Sequence, residues 1–163
     1  DAFSKLPRSF QCKAQLNIIG DGSNLENLKI LAKENLSILF HGKKNREDMA
    51  SYYDASNFLI VSLIDKPIFS VTVPAKTQTY IAAKKPILAF IKGETADIIK
   101  YNNLGKCAHP SDIFEILDIF KECILMDKIE QARFSINNDY LLKTLFNKEK
   151  TIDELLKLLT SKK

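Results

Sequence analysis

The chain has 163 residues, 45% of them hydrophobic and 27% charged, with a formal net charge of +4, the balance of a soluble globular protein with its own core. No apolar run is long enough to span a bilayer, and no secretory pattern follows Asp1. The mild positive charge fits an anionic ligand or an anionic membrane surface without requiring either.

Asp1 to Leu6 reads as the end of a helix, so the chain is expected to be a piece of a longer protein. Leu16–Ile19 is a short apolar strand stopped by Gly20-Asp21-Gly22. Ser23 is placed to cap a helix with Leu25, Leu28, Leu31 and Ala32 at helical spacing. Leu36–Phe40 is a second strand, closed by His41-Gly42. Arg46 to Ala55 reads as a short helix, with Asn45 as its cap and Met49, Tyr52 and Tyr53 on its inner side. Asn57–Leu63 is a third strand, apolar enough to be covered on both faces. A loop from Asp65 to Val73 leads into a helix opened by Pro74, whose missing N–H suits a first turn. Pro86–Ile91 is a fourth strand, Gly93 breaks it, and Glu94 to Tyr101 continues as a helix. Lys106–His109 is a short fifth strand. After Pro110 the pattern is helical only. Ser111 or Asp112 caps Ile113–Met126, and a middle helix runs over Lys128–Leu145. Asn147 caps a last helix with Ile152, Leu155, Leu156 and Leu159 on one face.

Strands alternating with helices imply an α/β fold with a parallel sheet and right-handed crossovers. Ligands of such sheets bind beyond the carboxyl ends of the strands. Three junctions open onto that rim: Gly20 to Ser23, His41 to Arg46, and Ser70 to Thr79. The third is the most informative. Lys76 sits in a first helical turn, where a cation opposes the positive end of the helix dipole. An anion held by backbone N–H groups and by Lys76 removes the conflict, and a nucleotide diphosphate is the expected anion. Gly20-Asp21-Gly22 follows a strand and precedes a helix, but position 25 is Leu and no acid ends the second strand. A nicotinamide dinucleotide is therefore disfavoured, leaving a tight turn or a different phosphate ligand.

His41 is either a general base or a packed loop residue. Lys43, Lys44 and Arg46 are either a solvated face or phosphate contacts. Cys12, Cys107 and Cys123 form no C-x-x-C pair, which argues against structural zinc and for reduced thiols in a cytosolic protein. His41 and His109 with scattered acids make no metal-ligand pattern. The aromatics are not interleaved with basic residues, which argues against nucleic acid.

Taken in order, these segments resemble a known domain: Gly20-Asp21-Gly22 after a strand, Leu39-Phe40-His41-Gly42-Lys43, Tyr53 to Ser62, Val73 to Ala89, and Gly93-Glu94. The match is to the carboxyl-terminal domain of GT-B glycosyltransferases. Within them it is similar to glycosyltransferase family 4, in the branch of O-antigen and capsule N-acetyl-L-fucosamine transferases. The tail from Phe146 to Lys150, with its final amphipathic helix, is similar to that family's ending. The resemblance implies a Rossmann-like parallel sheet flanked by helices, one nucleotide-sugar-binding domain over residues 1–163, and an amino-terminal acceptor domain outside this chain. It implies a retaining hexosyltransferase of bacterial surface polysaccharide synthesis, inactive as this fragment alone. The substrate would be a nucleotide sugar, UDP-linked, with no cofactor and no essential metal. The acceptor would be a glycan or a lipid-linked glycan held through the other domain. The location would be cytoplasmic or at the inner face of the membrane, with peripheral membrane association of the full enzyme.

Carried over by position, Gly20 and Gly22 would let backbone approach the diphosphate, and His41, Gly42 and Lys43 would border the base. Ser70, Thr72 and the helix start through Thr77 would lie beneath sugar and phosphates, with Lys76 as the cation. The family's E-x7-E pair would fall at Val71 and Thr79, so both acids are absent. Gln78-Thr79-Tyr80 resembles the fucosamine branch instead, with Gln78 and Thr79 as substitutes in the ribose and sugar contacts. No catalytic residue is assigned. A nucleotide-sugar epimerase of the same fold, a non-catalytic Rossmann-like interaction module and a redox role remain as alternatives.

Overall fold

In the computed structural model, which describes residues 1–32 and 35–160, the strands are all parallel. β1 (Leu16–Ile18) pairs with β2 (Ile38–Phe40), placing Leu16 opposite Ile38 and Ile18 opposite Phe40. β3 (Leu59–Ser62), β4 (Ile87–Phe90) and β5 (Gly105–Ala108) form a second sheet in that order. The single parallel sheet expected from the sequence is thus divided, with no ladder between β1 and β3. The division follows from length and burial. β1 and β2 have three residues each and no fully buried side chain, whereas all four residues of β4 are buried and pair on both edges.

A 3-10 turn at Phe3–Lys5 and the short helix α1 (Arg8–Gln11) precede β1. The crossovers carry α2 (Leu25–Ala32), α3 (Met49–Ala55), α4 (Pro67–Ser70), α5 (Ala75–Ala82) and α6 (Glu94–Tyr101). Three helices close the chain: α7 (Ile113–Leu125), α8 (Lys128–Thr144) and α9 (Lys148–Thr160). The Asp112 carboxylate caps α7 by accepting from Glu115 N–H, and Asn147 Oδ1 caps α9 by accepting from Lys150 N–H at 3.0 Å. Two expected caps do not form. α2 begins at Leu25 rather than after Ser23, and α3 begins at Met49, because residues 45–48 spend their first hydrogen bonds in a turn (Asp48 N–H to Asn45 O, 3.1 Å). The expected loop over 65–73 contains α4, with Pro67 in its first turn.

β4 distributes the core. Its alternation sends Ile87 and Ala89 to one face, where they meet Val61, Ile81, Ile99, Leu104 and Leu141. Leu88 and Phe90 go to the other, where they meet Phe3, Ile116 and Phe120. Phe120 packs edge-on against both Phe3 and Phe90, with centroids 5.5 and 5.4 Å apart. Asn138 of α8 is fully buried, and its Nδ2 donates to Phe134 O (2.8 Å), Lys85 O (3.3 Å) and Leu104 O (3.4 Å). It thereby ties α8 to the segments entering β4 and β5. The last helix is amphipathic as expected, but every residue of α9 is exposed, Ile152 and Leu155 included.

Asp139, next to Asn138, pairs with both Lys143 and Lys84 at 2.6 Å. The Lys143 hydrogen bond first, and then that of Lys84, hold its carboxyl below the ordinary value of 3.8. The unfolded chain therefore takes up this proton more readily than the folded one. The stabilisation is complete above about pH 4 and is lost as pH falls through the lowered value. Urea midpoints measured across the acid range are expected to drop below about pH 4, and Asp139→Asn is expected to flatten that drop.

Candidate functional site

The carboxyl ends of the strands bring the sequence-selected residues to two places. The first lies beyond β1 and β2. Gly20, at φ +142°, donates its N–H to Gly42 O at 2.9 Å, and His41 N–H donates to Ile18 O at 2.9 Å. His41 Nε2 lies 2.7 Å from Asn17 Oδ1, a geometry that suits the Nε2–H tautomer. The ring also meets Tyr52 edge-on at 5.4 Å. Lys43 reaches across to Asp21 at 3.9 Å, both exposed. Methyl groups built at Gly20, Gly22 or Gly42 would meet nothing within 4 Å, so these backbones are open to an approaching group.

The second place lies beyond β3 and β4. Ser70 O presses against Gly93, and Thr95 Oγ1 donates to Thr72 O at 3.0 Å. The hydroxyls of Ser70 and Thr72 turn back on their own segment, to Pro67 O (2.7 Å) and Phe69 O (3.5 Å). This segment delivers the chain to α5. Pro74 stands at the N-cap in extended backbone, no side chain caps the helix, and its first turn holds no acid. Lys76 is exposed in that turn. Thr77 beside it is fully buried, and its hydroxyl has no hydrogen-bond partner among the described residues. Gln78 is exposed, while Thr79 Oγ1 donates back to Ala75 O at 3.1 Å.

Between β1 and β3 lies a cavity of about 510 Å³. Lys76 lines it together with Asn17 and Ile19 of the first place and with Tyr53 and Tyr80. Lys76 is thus the sequence-selected residue that shares this cavity with Asn17, the partner of His41. None of Gly20, Gly22, His41, Gly42, Lys43, Ser70, Thr72, Thr77, Gln78 or Thr79 lines it. The sequence reading missed Asn17, Tyr52, Gly93 and Thr95 as parts of these places. Two of them carried a signal: Gly93 as the breaker after β4, and Tyr52 as a residue on the inner side of its helix.

Residues 1–124 match the family model described as "Glycosyl transferases group 1". The chain belongs to that family. No curated protein sequence matches this group 1 glycosyltransferase chain. Among solved structures it is similar to HepE of Anabaena, crystallised with UDP-glucose (TM-score 0.76, 16% identity, covering 99% of this chain and 43% of that one). It is also similar to WaaG, described as a glycosyltransferase involved in lipopolysaccharide biosynthesis (0.72, 17%, covering 88% and 37%). A third is the α,α-trehalose 6-phosphate synthase of Burkholderia multivorans (0.66, 12%, covering 98% and 39%). At these identities the likeness is one of fold. The group 1 chain spans less than half the length of each of these structures.

Burial pushes the Cys107 and Cys123 thiols up to about 11 and about 12, so neither is a thiolate at neutral pH. Tyr80 is raised in the same direction by burial and by Tyr53. Among the described residues no helix is long and apolar enough to cross a membrane, and no three His, Cys, Asp or Glu side chains come together as metal ligands.

Proposed function

We propose that this chain binds the nucleotide-sugar donor of a retaining glycosyltransferase, which moves a hexose from a UDP-linked sugar to a glycan or lipid-linked acceptor. One observation carries the reading: α5 opens at the carboxyl rim with no capping side chain and no acid, with Lys76 in its first turn. That arrangement lacks a negative charge where a helix favours one, and a diphosphate supplies it. As the bond from sugar to phosphate breaks, charge grows on the departing nucleoside diphosphate. N–H groups at the start of α5 and the Lys76 ammonium stabilise that charge most where it grows. The residues here therefore hold and orient the leaving group, and no covalent step falls to them.

Several observations support the finer parts of the reading. Family membership supports transfer of a sugar, and the UDP-glucose seen with HepE supports the donor class. The likeness to WaaG supports a role in bacterial surface polysaccharide assembly. Gln78-Thr79-Tyr80 and the absent acid pair support placement near N-acetyl-L-fucosamine transferases. Open backbone at Gly20 and Gly22 supports diphosphate approach there.

The test is calorimetric titration of this chain with UDP. Binding is expected in the wild type, and Lys76→Ala is expected to weaken it about tenfold, or about 1.4 kcal/mol. An affinity that the substitution leaves unchanged removes Lys76 from the site.

A further inference from the structure

The ends of three adjacent strands share one carboxylate. Asp65 follows β3, Lys92 follows β4 and His109 follows β5. One oxygen of Asp65 pairs with Lys92 Nζ, and the other lies 3.4 Å from His109 Nε2. His109 is itself seated by its neighbours. Its Nδ1 accepts from Ser111 N–H at 3.3 Å, and its own N–H donates to Glu115 Oε2 at 3.3 Å. That pattern leaves Nε2–H to donate to Asp65.

An exposed ion pair by itself contributes little to global stability. The place of this one is what matters. Residues 63–74 are the segment that delivers α5 to the rim, and they are strapped to the β4–α6 turn at Ser70, against Gly93, and at Thr72, by Thr95. Asp65 adds a third attachment at the entry of the same segment, to that turn through Lys92 and to the end of β5 through His109. All three attachments lie upstream of the uncapped first turn of α5. A segment held in one conformation beforehand does not have to be ordered when a ligand arrives.

We propose that Asp65 is a positioning residue for the diphosphate site: bridging Lys92 and His109, it preorganises residues 63–74 and so the start of α5. The proposal rests on the reading of α5 as that site. It assigns Asp65 no contact with the ligand.

The experiment compares Asp65→Asn, Lys92→Met and Lys92→Arg with the wild type. It measures amide hydrogen exchange over 63–74 without ligand, the urea midpoint, and UDP affinity by calorimetry. In Asp65→Asn and Lys92→Met, exchange in this segment is expected to rise about tenfold. UDP affinity is expected to fall by about three- to tenfold, the cost of ordering one or two side chains on binding. The urea midpoint is expected to stay at the wild-type value, and Lys92→Arg to retain both protection and affinity. The combined Asp65→Asn, Lys92→Met variant is expected to lose no more than Asp65→Asn alone, since that substitution already breaks the Lys92 arm.

Unchanged exchange and affinity in Asp65→Asn overturn the proposal. Weaker binding with wild-type exchange over 63–74 overturns it as well, because the carboxylate would then act on the ligand through its charge. Should Asp65→Asn not fold, His109→Gln cuts the other arm of the bridge and takes the same three measurements. A wild type that binds no UDP, while Asp65→Asn still loosens the segment, overturns the diphosphate reading and with it the positioning role, leaving only a strap.

Discussion

Gly93→Ala is expected to destabilise the chain by at least about 3 kcal/mol, the combined effect of backbone strain and of overlap that cannot relax. Gly93 stands at φ +79°, ψ −152°, a region essentially confined to glycine. A Cβ built there lies 2.0 Å from Ser70 O and 2.6 Å from both Ser70 C and Cα. Those are main-chain atoms, so no side-chain rotation relieves the overlap. Either the β4–α6 turn or the segment through Ser70 must shift. For a chain of this size such a loss lowers the thermal midpoint by about 6–12 °C. Because the displaced segment leads into α5, UDP affinity is expected to fall together with stability. Gly22→Ala is the control. Its Cβ meets nothing within 4 Å, so its stability is expected to stay within about 0.5 kcal/mol of the wild type and its thermal midpoint within about 2 °C. A scanning calorimeter run on the three proteins separates these outcomes.

Asn138→Asp is expected to cost about 3–5 kcal/mol at neutral pH, the range for a buried charge left without compensation. The substitution conserves shape and reverses hydrogen bonding. The Nδ2 that now donates toward the carbonyls of Phe134, Lys85 and Leu104 becomes a carboxylate oxygen facing three acceptors. Burial raises the pKa of such a carboxyl, so the folded variant binds a proton that the unfolded one, titrating near 3.9, has released. The penalty is therefore largest at neutral pH and shrinks as pH falls toward the unfolded value. Urea unfolding of variant and wild type at neutral and mildly acid pH reads this directly. A difference that stays constant with pH would mean that packing, not the donor, is what Asn138 supplies.

Much of the local chemistry was legible where its partners lie within a turn of one another. Asn147 caps its helix as read, and Asp112, one of two candidates with Ser111, caps α7, because a cap involves a side chain and an N–H three residues on. The run Ile87–Phe90 and the break at Gly93 were legible for the same reason. Ser23 and Asn45 were read by the same rule and failed, because competing turns claim the backbone before each helix begins. α4 lay hidden in a segment whose proline, hydroxyls and apolar residues read equally well as a loop.

At the candidate site the sequence by itself determined the α/β order, the placing of three junctions beyond strand ends, and a helix start that carries Lys76. Each of these is written in residues adjacent along the chain. Only the tertiary structure decided that the sheet divides between β1 and β3, that Lys76 shares a cavity with Asn17, and that Asp65, Lys92 and His109 meet on one carboxylate. Those partners are tens of residues apart, and what brings them within a few ångströms is the register and stacking of parallel strands, for which no short stretch of sequence carries a signal.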